Sequence, residues 1–506
     1  MAYGTWERRG RYMKRRKVQG MVNGECDTPR GTVTMRRVSQ LFIIVYVAVL
    51  ATGCETPGQP ADRRTTPSGE GRIVVTLNGP ERSPIDLTAE LTGLTLHAQG
   101  GGWFQVPVVT TTLNSLDLVR RQIPLADASL PAGRYDRLTM KFGKATLRQE
   151  GKVVDLSVPP EGFTLGVSLD VEQGSLVPLF ITWDVERGVE REVFLAPAFT
   201  FQGKESELPL VVAYVTNEES GTVSVLDRAK NQVVSTIQVG RAPRGIVVDL
   251  DMRRAFVLNG GADTITLIDV STQRALHTFN VETQARAQEL AISPLGRTLY
   301  VANTGLNSVS AIDAASLGVT ATIAVGISPV ALAVDPRSTR VLVANQGSNN
   351  LTLIDTFSNR VVGTVQVDQA PVQISVDPNP NVDRAYVASP SSAFMTVLSA
   401  STGQVLRKLS VGPGVVASLP DQIPNRLFLV KASQNRVVVF DTALNVEIGG
   451  FQTGRNPYRI VLDIDRDKLF VVNRDGGSLT VADRLSRRIE ATIPVGKRPY
   501  GIAIVR

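Results

Sequence analysis

Three observations on this 506-residue sequence predict an all-β fold, a β-sandwich followed by a seven-bladed β-propeller of four-stranded blades. Short segments that alternate apolar and polar residues, separated by Gly- and Pro-rich turns, run from residue 73 to the end, and no 3.6-residue period competes with them. From residue 208 onward a unit of 42 or 44 residues occurs seven times, the period of a propeller blade. The last unit ends on a segment, PYGIAIVR, whose counterpart is missing at the start of the first.

Residues 1–34 read as an over-extended N-terminus. They precede Met35, which opens MRRVSQLFIIVYVAVLATGC. A basic start, an apolar run of 11 residues and small residues before Cys54 make 35–53 a secretory signal, too short for a stable membrane span. LATGC resembles the lipobox of bacterial lipoproteins, which implies cleavage before Cys54 and a lipid on its sulfur. Ala51 stands where the usual leucine would be. The expected location is the cell envelope: outer membrane or periplasm in a Gram-negative cell, the cell surface otherwise. Ten of the 54 Lys and Arg and three of the 47 Asp and Glu lie in residues 1–53, leaving 44 of each sign beyond. The formal charge of +7 therefore belongs to the leader, and the remainder has no net field to hold nucleic acid. Residues 54–70, rich in Pro, Gly and Thr, read as a flexible tether.

Residues 71–205 carry the sandwich signal in IVVTL, LTAELTGLTLHA, WFQVPV, YDRLTMKF, FTLGVSLDV, LFITWDV and REVFLAPAFTF. With GGWFQV, LPAGRYDRLTMKF and FLAPAFTF, this region resembles a domain of unknown function found in bacterial lipoproteins.

Residues 208–506 hold three columns in register. Asn217, Asn259, Asn303, Asn345 and Asn473 end one strand of their units, with Ser389 and Lys431 in the remaining two. Asp227, Asp269, Asp313, Asp355, Asp441 and Asp483 end the next strand, with Ser399 in the fifth unit. Prolines 243, 329, 371, 457 and 499 open the strands that follow. Asn and Asp beside turns are read as structural fasteners rather than ligands. YVTN, GTVSVLD and VGRAPRGIVVD resemble the YVTN family of seven-bladed propellers over about 300 residues. The resemblance implies a closed ring and brings no particular reaction with it. Closure then requires Gly501–Arg506 to supply the strand missing from the first unit.

The chain has two histidines, His97 and His277, and two cysteines, Cys26 and Cys54. There is no CxxC, HExxH, P-loop or GxGxxG, so no cofactor or metal is expected. The Gly/Pro loops between units rim one mouth of the channel. Seven cations, Arg241, Arg244, Arg286, Arg455, Arg459, Lys497 and Arg498, fall in four consecutive loops and make that mouth basic on one side. They are the candidate contacts for a protein or anionic glycan. The expected function is that of a lipid-anchored, monomeric, non-catalytic binding or scaffold protein, without nucleic acid. The alternative, a metal-assisted hydrolase resembling the lactonase propellers, would draw on Glu218, Glu219, Asp263 and Asp475.

Overall fold

Each repeat unit forms one antiparallel sheet because its apolar runs are short and tied by tight turns. In the second unit the strands Pro243–Asp249, Arg254–Asn259, Thr264–Asp269 and Arg274–Asn280 pair in sequence order from the channel outward. The second strand buries Ala255, Phe256, Val257 and Leu258 on both faces, since a neighbouring blade covers each side. The outermost strand, RALHTFN, is almost wholly exposed. Hydrophobic clusters lie between blades rather than at one centre. Phe256 and Leu258, for example, share a cluster with Leu299 and Val301 of the next blade.

The computed structural model describes residues 69–505, except 81, 82, 84, 120, 150, 151, 186–188, 191–193, 196, 197, 203–211, 283 and 296. The signal segment, Cys54 and nearly all of the tether lie outside the described residues. Among those described, seven four-stranded sheets form the ring. The first is completed by the end of the chain. Pro499–Ile504 pairs antiparallel with Val212–Asn217, setting Ala213 opposite Ile504 and Val215 opposite Ile502. Val505 donates its N–H to the Val212 carbonyl at 3.0 Å and extends the seam. This closure removes the open edges of the first and last units.

Ahead of the ring, two sheets enclose one apolar core that includes Leu77, Leu94, Met140, Ile181 and Trp183. The smaller sheet orders as Ala198–Gln202, Leu176–Asp184, Glu70–Asn78 and Gln122–Pro131. Glu70–Asn78 runs parallel to Leu176–Asp184, a pairing that local patterning does not reveal. Gln122–Pro131 escapes sequence reading because QIPLADASLP has no clean alternation. Its register slips between Val75 and Thr76, so that Ala126 and Pro124 face them and Leu125 is the extra residue. This sheet docks on the first blade. Gln122 donates from Nε2 to the Val233 carbonyl at 3.0 Å and accepts the Val233 N–H at 2.7 Å. Arg72 reaches the Ser220 carbonyl at 2.7 Å while it pairs with Asp127.

Candidate binding site at the channel mouth

The loops that join blades have a shared backbone device. The residue before each inner strand, or before Pro371 in the fifth blade, is left-handed: Ala242, Arg286, Ser328, Ala370, Asn456 and Arg498 have φ between 45° and 52°, and Gly414 has φ 85°. Only one of the seven is glycine, so six loops carry strain of about 1 kcal/mol or more each. The twist turns carbonyls onto the next hairpin. Gly260 N–H donates to Ala242 O, Gln346 to Ser328 O, Arg474 to Asn456 O and Glu218 to Arg498 O, at 2.9–3.0 Å. The residues after the Asn column are thereby pinned at the rim, and two of them, Glu218 and Arg474, are charged.

The Asn column fastens one strand of the blade to the next through its side chains. Asn217 Nδ2 donates to the Thr222 and Ser224 hydroxyls, Asn259 to Thr264 and Thr266, Asn303 to Ser308 and Ser310, and Asn473 to Ser478 and Thr480. Asn345 uses Asn350 and Thr352. These side chains clamp the facing strand rather than the turn backbone. The Asp column caps turns. Asp227, Asp313, Asp441 and Asp483 each accept two successive backbone N–H groups, and Asp269 and Asp355 each accept the N–H three residues on.

The fifth unit, which has Ser399 in that column, imports its carboxylate. Asp383 Oδ2 accepts the hydroxyls of Ser399 and Ser401, and Oδ1 accepts the Ser401 N–H at 2.9 Å. Burial pushes the Asp383 pKa up, but these donors and Arg337 outweigh it and hold the group below its ordinary value. A depressed folded pKa stabilises above the unfolded pKa, and the gain fades as pH falls through the folded value. Asp383→Asn is therefore expected to cost about 1 kcal/mol at neutral pH and to flatten the loss of stability between about pH 5 and 3. Denaturation curves of both proteins across that range test it, and equal acid slopes would refute the assignment.

At the axis, two positions of the inner strands decide the site. After the loop residue and its Pro (Ala287 in the third blade), the third blade has Gln288 and Glu289, the seventh Tyr458 and Arg459, the first Tyr500 and Gly501, and the second Arg244 and Gly245. Arg459 of the seventh blade pairs with Glu289 of the third across the channel. Gly245 leaves that space open, since a Cβ there would come within 2.5 Å of Glu289 Oε1. Arg244 reaches Glu218 Oε1 at 3.1 Å and also donates to Gln288. Arg474 pairs with the other Glu218 oxygen, with Arg498 Nε 3.9 Å from the same atom. Tyr458 donates its hydroxyl to that of Tyr500 at 3.1 Å, and the rings lie 4.8 Å apart. The Arg459 and Arg474 guanidinium carbons stand 5.0–5.7 Å from both ring centres, and that of Arg244 is 5.8 Å from Tyr500.

Burial raises the pKa of Glu218, yet Arg474, Arg244 and Arg498 together hold it below the ordinary value. Burial and the neighbouring Tyr458 push the Tyr500 hydroxyl well up, which keeps it protonated.

The seven predicted cations thus divide. Arg244 and Arg459 turn into the channel and meet carboxylates. Arg241, Arg286, Arg455, Lys497 and Arg498 stay exposed on the rim. Arg241 and Arg455 lean on the Gly261 and Asp475 carbonyls, at 2.6 Å and 3.1 Å. Sequence reading passed over Arg474, Tyr458, Tyr500 and Glu289. The available signal was positional, because the residue after each Asn-column position is charged in the first and seventh units alone, with opposite signs.

Of the carboxylates weighed for a metal-assisted reaction, Glu218 is held by arginines, Asp263 accepts the Ala287 N–H and Asp475 accepts from Asn456. Among the described residues no group of three His, Cys, Asp or Glu side chains is placed to share an ion. His277 stacks on Phe279 in an outer strand. His97 Nδ1 lies 2.8 Å from Asp136, beside Trp103 and Arg137 on the six-stranded sheet ahead of the ring.

No protein of curated function matches the chain. Among solved structures, a functionally unknown protein from Desulfotomaculum acetoxidans DSM 771 is similar over 58% of this chain and 99% of its own, at 13% identity and TM-score 0.52. Hydrazine synthase of Kuenenia stuttgartiensis is similar over 52% of this chain and 95% of its own, at 17% identity and TM-score 0.46. The chain is thus a β-propeller protein by fold, and its residues 212–381 match the family model described as a YNCE-like beta-propeller.

Proposed function

We propose that this is a binding protein of the cell envelope, tethered by lipid on Cys54, whose propeller rim recognises an anionic glycan. The observation that carries the reading is the placement of Arg241, Arg286, Arg455, Lys497 and Arg498. All five are exposed, and they sit on four consecutive blade junctions of a ring whose other three loops hold no cation. A one-sided cluster of solvated charge on a rigid scaffold favours a polyanion over a single ionic group, because many weak contacts add along a chain.

Arg286 and Lys497 make no side-chain hydrogen bond or ion pair among the described residues, so they can be reversed without disturbing the ring. Binding of a uronic-acid polysaccharide should weaken steeply with salt and fall about tenfold or more in Arg286→Glu/Lys497→Glu. Unchanged affinity in that variant, measured by titration calorimetry, would overturn the reading.

A further inference from the structure

The charges inside the mouth do not balance. Three guanidiniums, those of Arg244, Arg459 and Arg474, have side chains only 15–22% exposed, yet they share two carboxylates, Glu218 and Glu289. Arg498 adds a fourth cation at the edge, half exposed. An uncompensated buried charge is expensive, and a folded protein keeps one where something supplies the counter-charge.

Two donors are also in place without acceptors. Arg474 Nε is buried and has no hydrogen-bond partner. The Tyr500 hydroxyl accepts from Tyr458 and retains its own proton. Glu218 also lines a shallow groove of about 550 Å³ together with Glu219, Gly240 and Arg241. Glu218 thus touches both that groove and the guanidiniums of Arg244 and Arg474. Its carboxylate occupies the place that an incoming anion would take.

From this excess of partly buried positive charge and these open donors we infer that Arg244, Arg474, Arg498 and Tyr500 form a site for a small oxyanion, a carboxylate or phosphate group, which Glu218 guards as a built-in competitor. The inference rests on the reading of the mouth as a binding face, and it concerns the inner cluster, which shares Arg498 alone with the rim. The planar forks of Arg244 and Arg474 suit two oxygens of one group, and the rings of Tyr458 and Tyr500, tilted at 55° to each other, pack against those forks. Loss of the Glu218 charge raises the surplus by one and frees both forks.

The test is titration of the purified protein with inorganic phosphate and, separately, malonate at fixed ionic strength. Saturable binding to the wild type is expected, tightened about tenfold in Glu218→Gln and weakened about tenfold or more in Arg474→Gln. If Arg474→Gln does not fold, Glu218→Gln alone decides. The tighter of the two ligands identifies the group, and either preference supports the site. Failure of both to bind wild type and Glu218→Gln overturns the inference. So does equal affinity in every variant, which would mean an adventitious ion only. The rim variant Arg286→Glu/Lys497→Glu should leave phosphate affinity within about twofold. Rim-dependent glycan binding without oxyanion binding would sink this inference alone, and the converse would sink only the glycan reading.

Discussion

Deletion of Tyr500–Arg506 is expected to abolish cooperative folding of the ring. The segment is under 2% of the chain's length, but it buries Tyr500, Ile502 and Val505 to 9% exposure or less. At about 2 kcal/mol for each buried side chain, the loss approaches the entire 5–15 kcal/mol or so by which a typical protein is stable. The deletion also strips Val212–Asn217 of its inner partner and leaves an apolar strand with an open edge. Circular dichroism on heating should show a transition lowered by more than about 10 °C or lost, with aggregation. A truncated protein that melts at the wild-type temperature would show that the seam does not hold the ring.

The second large effect is expected at the opposite mouth. Arg228, at the end of a first-blade strand, places Nη1 2.5 Å from Asp463 Oδ1 of the seventh blade, and the two side chains are 2% and 0% exposed. Its Nη2 donates to the Val505 carbonyl at 2.6 Å. One guanidinium thus binds the first blade, the seventh and the closing strand together. Arg228→Met would strand the Asp463 carboxylate in the interior, at a cost of about 3–5 kcal/mol. The double variant Arg228→Met/Asp463→Leu removes both charges and should recover most of that loss, since a buried pair contributes little net stability over apolar replacements. Urea denaturation of the four proteins gives the coupling. A single variant within about 1 kcal/mol of wild type, or a double variant no better than Arg228→Met, would contradict this account. The neighbouring junction repeats the device, with Arg484 of the seventh blade bound to the buried Asp421 of the sixth at 2.8 Å.

The ring was legible in the sequence because repetition turns a weak local signal into a strong one. One alternating hairpin such as YVTNEESGTVSVLD is compatible with many folds. Seven copies in register give the number of blades, and the missing first strand gives the closure observed between Pro499–Ile504 and Val212–Asn217. The sheets ahead of the ring were legible in part. Clean alternation exposed FTLGVSLDV, which is one strand from Phe163 to Val171. Gln122–Pro131 stayed hidden because its bulge and small residues break the period.

The mouth divides along the same line. The sequence by itself determined which loops carry cations and that they are consecutive, since both follow from the repeat register. Only the tertiary structure decided what those cations meet. Arg459 and Glu289 are 170 residues apart and face each other because their blades converge on the axis. Arg474 finds Glu218 across the closure seam, 256 residues away in the chain. Column position sets where a side chain starts. Which charge it reaches across the channel depends on the space that Gly245 leaves beside Glu289 and on the curvature of the closed ring, and neither is encoded in any local stretch.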